Sequence, residues 1–458
     1  MSHTVASSDP AHSPTAARDP REERKVLAGT LVGTTIEWYD FFIYAQAAAL
    51  ILGPLFFAPM GAQGAQIASW ASLGISFLVR PLGAIVAGHM GDRFGRKIVL
   101  SMTLIGMGAA TVLIGLLPTY AQIGVWAPIL LVLLRLLQGF SAGGEWGGAA
   151  LLSVEHAPHG KRGLFGSAPQ VGVPLGMLMA TGVLFAVRAS MSPEAFLEWG
   201  WRVPFLLSVV LILVGHIIRK AVEESPVFKE MQQLKKDESA PLGDLFRNHT
   251  RTVVLAALIF AANNAVGYLV IAWFAKYGQK NLGMEPTETL TAALVGGAGW
   301  FLFTLFGGWI SDKIGRRLTF QLGYAFLIIW SIPMFLMMNT ASLPLFAAAL
   351  FVLTLGLGPS YGPQSAMYAE MFPAKVRFSG VSIGYAIGAI IGGAFAPLIA
   401  DLLLPNGWTW VAGYMIVISL ISLVAVSMVP KGTQDRNLHD HEHDELGVDV
   451  IADAKAHH

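Results

Sequence analysis

"GDRFGRK" at residues 91–97 and "SDKIGRR" at 311–317 are two copies of one short pattern, set 220 residues apart. Each follows a long apolar run and combines an acid, glycine and several bases. A second pair recurs in the same order, "EHAPHGKR" at 155–162 and "EMFPAKVR" at 370–377. In both of these, Glu is followed by Pro three places on and by Arg seven places on. A general excess of basic loops would explain the arginines but not that spacing. The chain therefore reads as an internal repeat, two halves of like topology.

The repeated unit is a membrane bundle. Of 458 residues, 54% are hydrophobic and only 13% charged, against about 25% charged in a soluble domain. The mean hydropathy is +0.58. A spanning helix takes roughly 20 apolar residues. Twelve such runs fall at approximately 26–53, 67–90, 98–117, 127–154, 162–187, 201–221, 251–276, 288–310, 318–338, 343–369, 377–403 and 408–429. The expected fold is an all-α membrane protein of twelve transmembrane helices in two pseudo-symmetric six-helix bundles. The boundaries read as a tail at 1–25, a first bundle at 26–222, a linker at 223–250, a second bundle at 251–430 and a tail at 431–458.

Lys and Arg set the orientation. Arg93, Arg96, Lys97, Lys161, Arg162, Arg219, Lys220, Lys313, Arg316, Arg317, Lys375 and Arg377 all fall in loops on one side, while the connections at 54–66, 118–126, 339–342 and 404–407 have none. Both termini are thus expected in the cytoplasm of a cell whose plasma (inner) membrane the chain crosses. The first 25 residues show no short apolar core with a cleavage site, so they read as a cytoplasmic tail. There are no cysteines, which excludes disulfides and thiolate chemistry. No P-loop, nucleophile triad or intramembrane metal-binding pair is found, so neither ATP-driven nor enzymic chemistry is expected, and no cofactor. The net charge of +1 points to no nucleic-acid partner. His439, His441 and His443 in "LHDHEHDELGVD" read as a solvated tail or as a metal-binding cluster.

The loop "GHMGDRFGRK" at 88–97 resembles the signature loop of the major facilitator superfamily, G-x-x-x-D-R-x-G-R-[KR], through Gly88, Asp92, Arg93, Gly95, Arg96 and Lys97. Together with "EWYDFFIY", "RPLG" and "GGEWGGAALLSVE", the chain is similar to that superfamily's metabolite:proton symporters. Relatives of that kind carry shikimate, 2-oxoglutarate, citrate, proline or betaine. The resemblance implies two bundles around a central cavity that opens alternately to each side. It implies proton-coupled uptake of a small organic acid, shikimate-like, by a monomer in the lipid bilayer. The alternatives are a zwitterion carrier for betaine or proline, or a proton-driven efflux antiporter. "APQVGVPLGM" at 168–177 lacks the terminal glycine pair of the antiporter motif and speaks against the last. The repeated loops, with Gly88, Asp92, Arg93, Arg96, Glu155 and Arg162 in one half and Asp312, Arg316, Glu370 and Arg377 in the other, are expected to latch one conformation. In them an acid can accept helix N-terminal amides or pair with a neighbouring Arg.

Glu37 and Asp40 lie roughly 16 and 21 Å into the first helix and share a face. A charged Asp at mid-membrane costs about 2.5–3.5 kcal/mol even on lenient scales. Such acids must face a wet cavity, pair with a cation, or be protonated. Arg135 falls at a depth comparable to Asp40, and Arg80 nearer Glu37. The expectation is a switchable Asp40–Arg135 pair that couples protons, as related sugar carriers use; a static pair that fixes packing is the alternative. Arg80 is expected to grip a substrate carboxylate in two places, or to pair with Glu37 or Glu145. Glu145, flanked by glycines, reads as a network residue. Trp38, Tyr44, Gln138, Asn263, Asn264, Tyr268, Tyr361 and Gln364 are further candidates for the cavity wall. "LGLGPSYGPQS" at 355–365 carries Gly and Pro that can loosen the tenth helix.

Overall fold

In the computed structural model the described residues are 20–433, apart from 95, 144, 159, 221–240 and 374–375. The side chains of Gly88, Asp92, Arg93 and Arg96 also lie outside the description, as do the histidines of the tail. Every regular element among the described residues is helical.

Twelve helices follow the expected runs. In the first half they are α1 (Pro20–Leu50), α2 (Gly61–Leu78 continued by Arg80–Phe94), α3 (Arg96–Leu116), α4 (Trp126–Ala142 continued by Glu145–Glu155), α5 (Arg162–Ser190) and α6 (Val203–Leu206 with Ser208–Lys220). In the second they are α7 (Thr250–Tyr268, a π-turn at Leu269–Trp273, then Phe274–Asn281), α8 (Pro286–Ile314), α9 (Arg316–Met338), α10 (Leu343–Leu357 and Gln364–Met371), α11 (Arg377–Gly392 and Ala396–Leu403) and α12 (Trp408–Ser427). Among the described residues nine spans are long and apolar enough to cross a bilayer, and the runs in α3 and α10 are shorter but apolar. The outer surface carries Ile217, Leu213 and Ile329 exposed, which suits a surface solvated by lipid rather than water.

The breaks in these helices have local causes. Between the two parts of α10, residues 358–363 form turns. There Pro359 and Pro363 remove amide donors and Gly358 and Gly362 weaken the helix. The loosening expected of helix ten is therefore a full interruption. In α7 the π-turn adds one residue to the helical ring, a feature often found at functional sites.

Small residues set how closely the helices meet. A Cβ on Gly139 of α4 would stand 1.8 Å from the Ser76 carbonyl oxygen of α2, so only glycine allows that crossing. Between the halves, α5 packs on α8 and α2 on α11. Under the internal repeat α2 corresponds to α8 and α5 to α11. The two seams are therefore the same contact made twice.

Candidate functional site

Where the halves meet lies a narrow void of about 10 Å³, walled by residues that include Trp38, Phe42, Phe260, Asn263, Asn264, Tyr268, Trp300 and Tyr361. Ligand pockets span roughly 300–1,000 Å³, so a metabolite fits only once the wall parts. The Asn pair braces the wall. Asn263 Nδ2 donates to the Leu357 carbonyl at 2.8 Å and to Ser360 Oγ at 2.9 Å, and Asn264 Nδ2 donates to the Ala389 carbonyl at 3.2 Å. These bonds fix the interrupted α10 and the neighbouring α11 against α7, and they satisfy amides that a membrane interior would otherwise penalise.

Behind the wall stands Arg80, 2% exposed. Its guanidinium lies 4.2 Å from the centre of the Phe41 ring, 4.5 Å from Phe77 and 5.4 Å from Trp38. Rings can hold a cation through their negative faces, but they accept no N–H in the plane of the fork. Among the described residues, Nε and Nη2 of Arg80 find no hydrogen-bond partner, nor do Trp38 Nε1, Tyr268 Oη and Trp300 Nε1. A cluster of buried donors without acceptors is costly unless something arrives to accept from them. Glu37, also buried, acts electrostatically on Tyr268 together with Arg80 and Arg135.

Asp40, three residues on from Glu37, is buried against α3 and α6. Its carboxylate accepts from Ser208 Oγ of α6 at 2.5 Å, and Thr111 of α3 stands nearby, its hydroxyl donating to the Met107 carbonyl at 3.1 Å. The expected direct pair with Arg135 is not formed. Arg135 is spent on α2: Nε donates to the Ser72 carbonyl at 3.2 Å, and Nη2 to the Leu73 carbonyl at 3.1 Å and Ser76 Oγ at 2.7 Å. Its guanidinium also lies 3.8 Å from the Tyr44 ring centre. Equal depth did not mean a common face. Side chains lead from Arg135 toward Asp40 instead. Arg135 Nη1 donates to Gln138 Oε1, and Gln138 Nε2 donates to Thr111 Oγ1 at 2.7 Å. That chain of bonds ends at Thr111, whose own hydrogen goes to the Met107 carbonyl and not to Asp40.

Several other candidates leave the void for packing roles. Tyr44 Oη shares a 2.5 Å hydrogen bond with Ser72 Oγ, and Gln138 belongs to the chain of bonds from Arg135 to Thr111. Glu145 accepts from Thr103 Oγ1 of α3 at 2.6 Å, which makes it a network residue rather than part of the cavity wall. Gln364 Oε1 accepts from Gln170 Nε2 at 3.4 Å, and the same amide donates to the Tyr361 carbonyl at 3.2 Å. Gln170 Oε1 in turn accepts from Trp146 Nε1 at 2.6 Å. The Trp146 ring stacks on Tyr385 of α11 with centres 3.8 Å apart. This plug between the halves, with Trp300 in the wall, was missed in the sequence.

On the face with the basic loops, Asp312 accepts from the Gly163 and Leu164 amides at 2.8 and 2.9 Å. It thus caps α5 of the opposite half with a negative charge at a helix N-terminus. Arg316 Nη1 holds the same carboxylate at 2.6 Å, and Arg316 Nη2 reaches Glu370 Oε1 at 3.4 Å. Arg377 Nε donates to the Ala369 and Phe372 carbonyls at 2.9 and 3.2 Å. Arg162 lies close enough to act on Glu370, and Glu155 is buried at the end of α4. The amide-capping role expected of such acids is seen here in the second copy of the loop.

The model of the Major Facilitator Superfamily matches residues 30–379. The chain is 38% identical over 408 residues to the inner membrane metabolite transport protein YhjE of Escherichia coli K12, covering 88% of this chain and 93% of that one. It is 36% identical to the shikimate transporter of the same organism, covering 89% and 94%. With the proline/betaine transporter of Salmonella typhimurium it shares 32% identity, covering 92% and 86%. The solved proton:xylose symporter XylE superposes with a TM-score of 0.73 at 15% identity, over 90% of this chain and 96% of that one, a likeness of fold. The chain belongs to the major facilitator superfamily, as a multi-pass membrane transporter related to its metabolite, shikimate and proline/betaine carriers.

Proposed function

We propose that the chain takes up a small organic anion together with protons, by alternating access, as a monomer in the inner membrane with both termini in the cytoplasm. The observation that carries the anion is Arg80, a buried guanidinium whose Nε and Nη2 lack acceptors among the described residues. A carboxylate supplies acceptor oxygens in the plane of that fork. The neighbouring donors Trp38 Nε1, Tyr268 Oη and Trp300 Nε1, also without acceptors, suit further oxygens on the same ligand, as on a hydroxylated ring acid such as shikimate. Glu370, Asp312 and Arg316 serve as the cytoplasmic latch, with Glu155, Arg162 and Arg377 supporting it.

Asp40 carries the proton. Ionised, it draws on the hydrogen bond from Ser208 of α6. When the helices rearrange and that bond breaks, an ionised carboxylate in the bilayer becomes costly and takes up H⁺. Glu37, three residues back on α1 and buried, is assigned a supporting part in the proton step.

A second reading is favoured by the aromatic character of the wall. Trp38, Phe260, Trp300 and Tyr361 could face a quaternary ammonium, with Arg80 on the carboxylate of the same zwitterion. Purified protein in vesicles distinguishes the two. Shikimate or a dicarboxylate added outside is expected to raise the melting temperature and to acidify the lumen as protons accompany it. Glycine betaine doing this while the acids do nothing would favour the zwitterion. No lumenal pH change with any transported substrate would refute proton symport.

A further inference from the structure

On the face away from the basic loops, one carboxylate is reached from three places. Asp401 of α11 accepts from Trp273 Nε1 at 2.7 Å through Oδ1, and from Trp70 Nε1 at 2.7 Å through Oδ2. Lys276 Nζ also binds Oδ2 as an ion pair. Trp273 closes the π-turn of α7 and Lys276 lies three residues on. The extra residue of that turn sets where these two donors emerge around the helix. Both belong to the same half as Asp401. Trp70, on α2, is the donor from the opposite half.

We propose that Asp401 is the latch of this face, the counterpart of Asp312 on the other, and that the Trp70 bond is the part that breaks when the substrate path opens outward. This goes beyond the substrate and proton readings and depends on neither. The geometry has two properties a latch needs. The bond crosses between halves at a point of close approach, where Gly74, one turn along α2 from Trp70, would place a Cβ 2.5 Å from the Ala394 carbonyl oxygen. Its release also leaves Asp401 held by Lys276 and Trp273, so no buried carboxylate is stranded. That makes opening reversible, where loss of all partners would be prohibitive. The two acids, Asp312 and Asp401, sit on the same half, at opposite faces, and each reaches across to the first half. Both bonds are closed here together with the void between them, which is the occluded arrangement of an alternating carrier.

The absence of cysteine allows spin labels to be placed singly. Exposed Gln63 and Asn281, replaced by Cys, report the separation of the halves at this face, and Lys161→Cys with Lys313→Cys reports the other. In full-length protein in lipid, Trp70→Phe keeps the ring and loses the crossing bond. A hydrogen bond to a charged group corresponds to roughly a tenfold or larger change in population. The long-distance population of the first pair should rise by that factor, with the second pair unchanged. Asp401→Asn, which keeps an acceptor but a weaker one, should shift it in the same direction. Trp273→Phe removes a bond to the same carboxylate within one half and should leave both distances as in the parent. Unchanged distances in Trp70→Phe, or an equal shift in Trp273→Phe, would overturn the proposal.

Discussion

Replacing Arg80 by Lys tests the substrate reading where it is most exposed. The guanidinium is held by rings at 4.2 and 4.5 Å, and a lysine ammonium keeps that cation–π attraction, about 0.5–2 kcal/mol. The fold should therefore survive, with an apo melting temperature within a few degrees of the parent. What lysine cannot do is offer two parallel N–H groups in one plane. Loss of one hydrogen bond between charged groups costs about 1.5–3 kcal/mol, which at 1.36 kcal/mol per decade is a roughly 10- to 150-fold rise in KM. The proposed proton carrier is a different residue, Asp40, so kcat should change far less than KM. Initial uptake rates in vesicles at fixed pH gradient, across a hundredfold range of substrate, separate the two constants. The ligand-induced rise in melting temperature should shrink in parallel. A KM within twofold of the parent would refute direct binding of a carboxylate by Arg80.

Two further outcomes follow from the packing. Thr111→Val removes the hydroxyl that accepts from Gln138 Nε2 beside Asp40 at nearly constant volume; accumulation driven by a pH gradient should fall about two- to tenfold for the loss of one hydrogen bond, while substrate exchange across equal pH persists. Equal loss of both activities would mean that Thr111 is only structural. Gly139→Ala forces a Cβ against the Ser76 carbonyl at 1.8 Å and should destabilise by about 1–3 kcal/mol, read as a lower melting temperature in detergent. A parent-like melting curve would show that α2 and α4 can separate without penalty.

The twelve spans and the two-fold repeat were legible because hydropathy and loop charge are properties of sequence alone. That Glu37, Asp40, Arg80 and Arg135 are all buried was legible for the same reason, since depth along a helix follows from counting residues. Which way each points was not. Counting put Asp40 and Arg135 at one height, but the rotation of α1 turns Asp40 toward α3 and α6, while Arg135 turns to the carbonyls of α2. The partner Ser208 lies in "FLLSVVLIL", where a single hydroxyl leaves no pattern to read. Asp401 was missed because orientation was judged from cations, and an acid at an outer helix end carries no weight in that rule. Its significance comes from Trp70, 331 residues away, a distance no local motif spans. Trp146 and Tyr385 were equally hidden, their stacking being a product of how the halves meet.

The claim on which the account rests is that one buried acid on α1 carries the proton. Asp40→Asn in vesicles, assayed both for exchange of labelled substrate at equal pH and for accumulation under an inwardly directed proton gradient, tests it directly. The expected result is exchange within a few-fold of the parent and no accumulation above equilibrium. Accumulation of substrate against its gradient by Asp40→Asn would contradict the account.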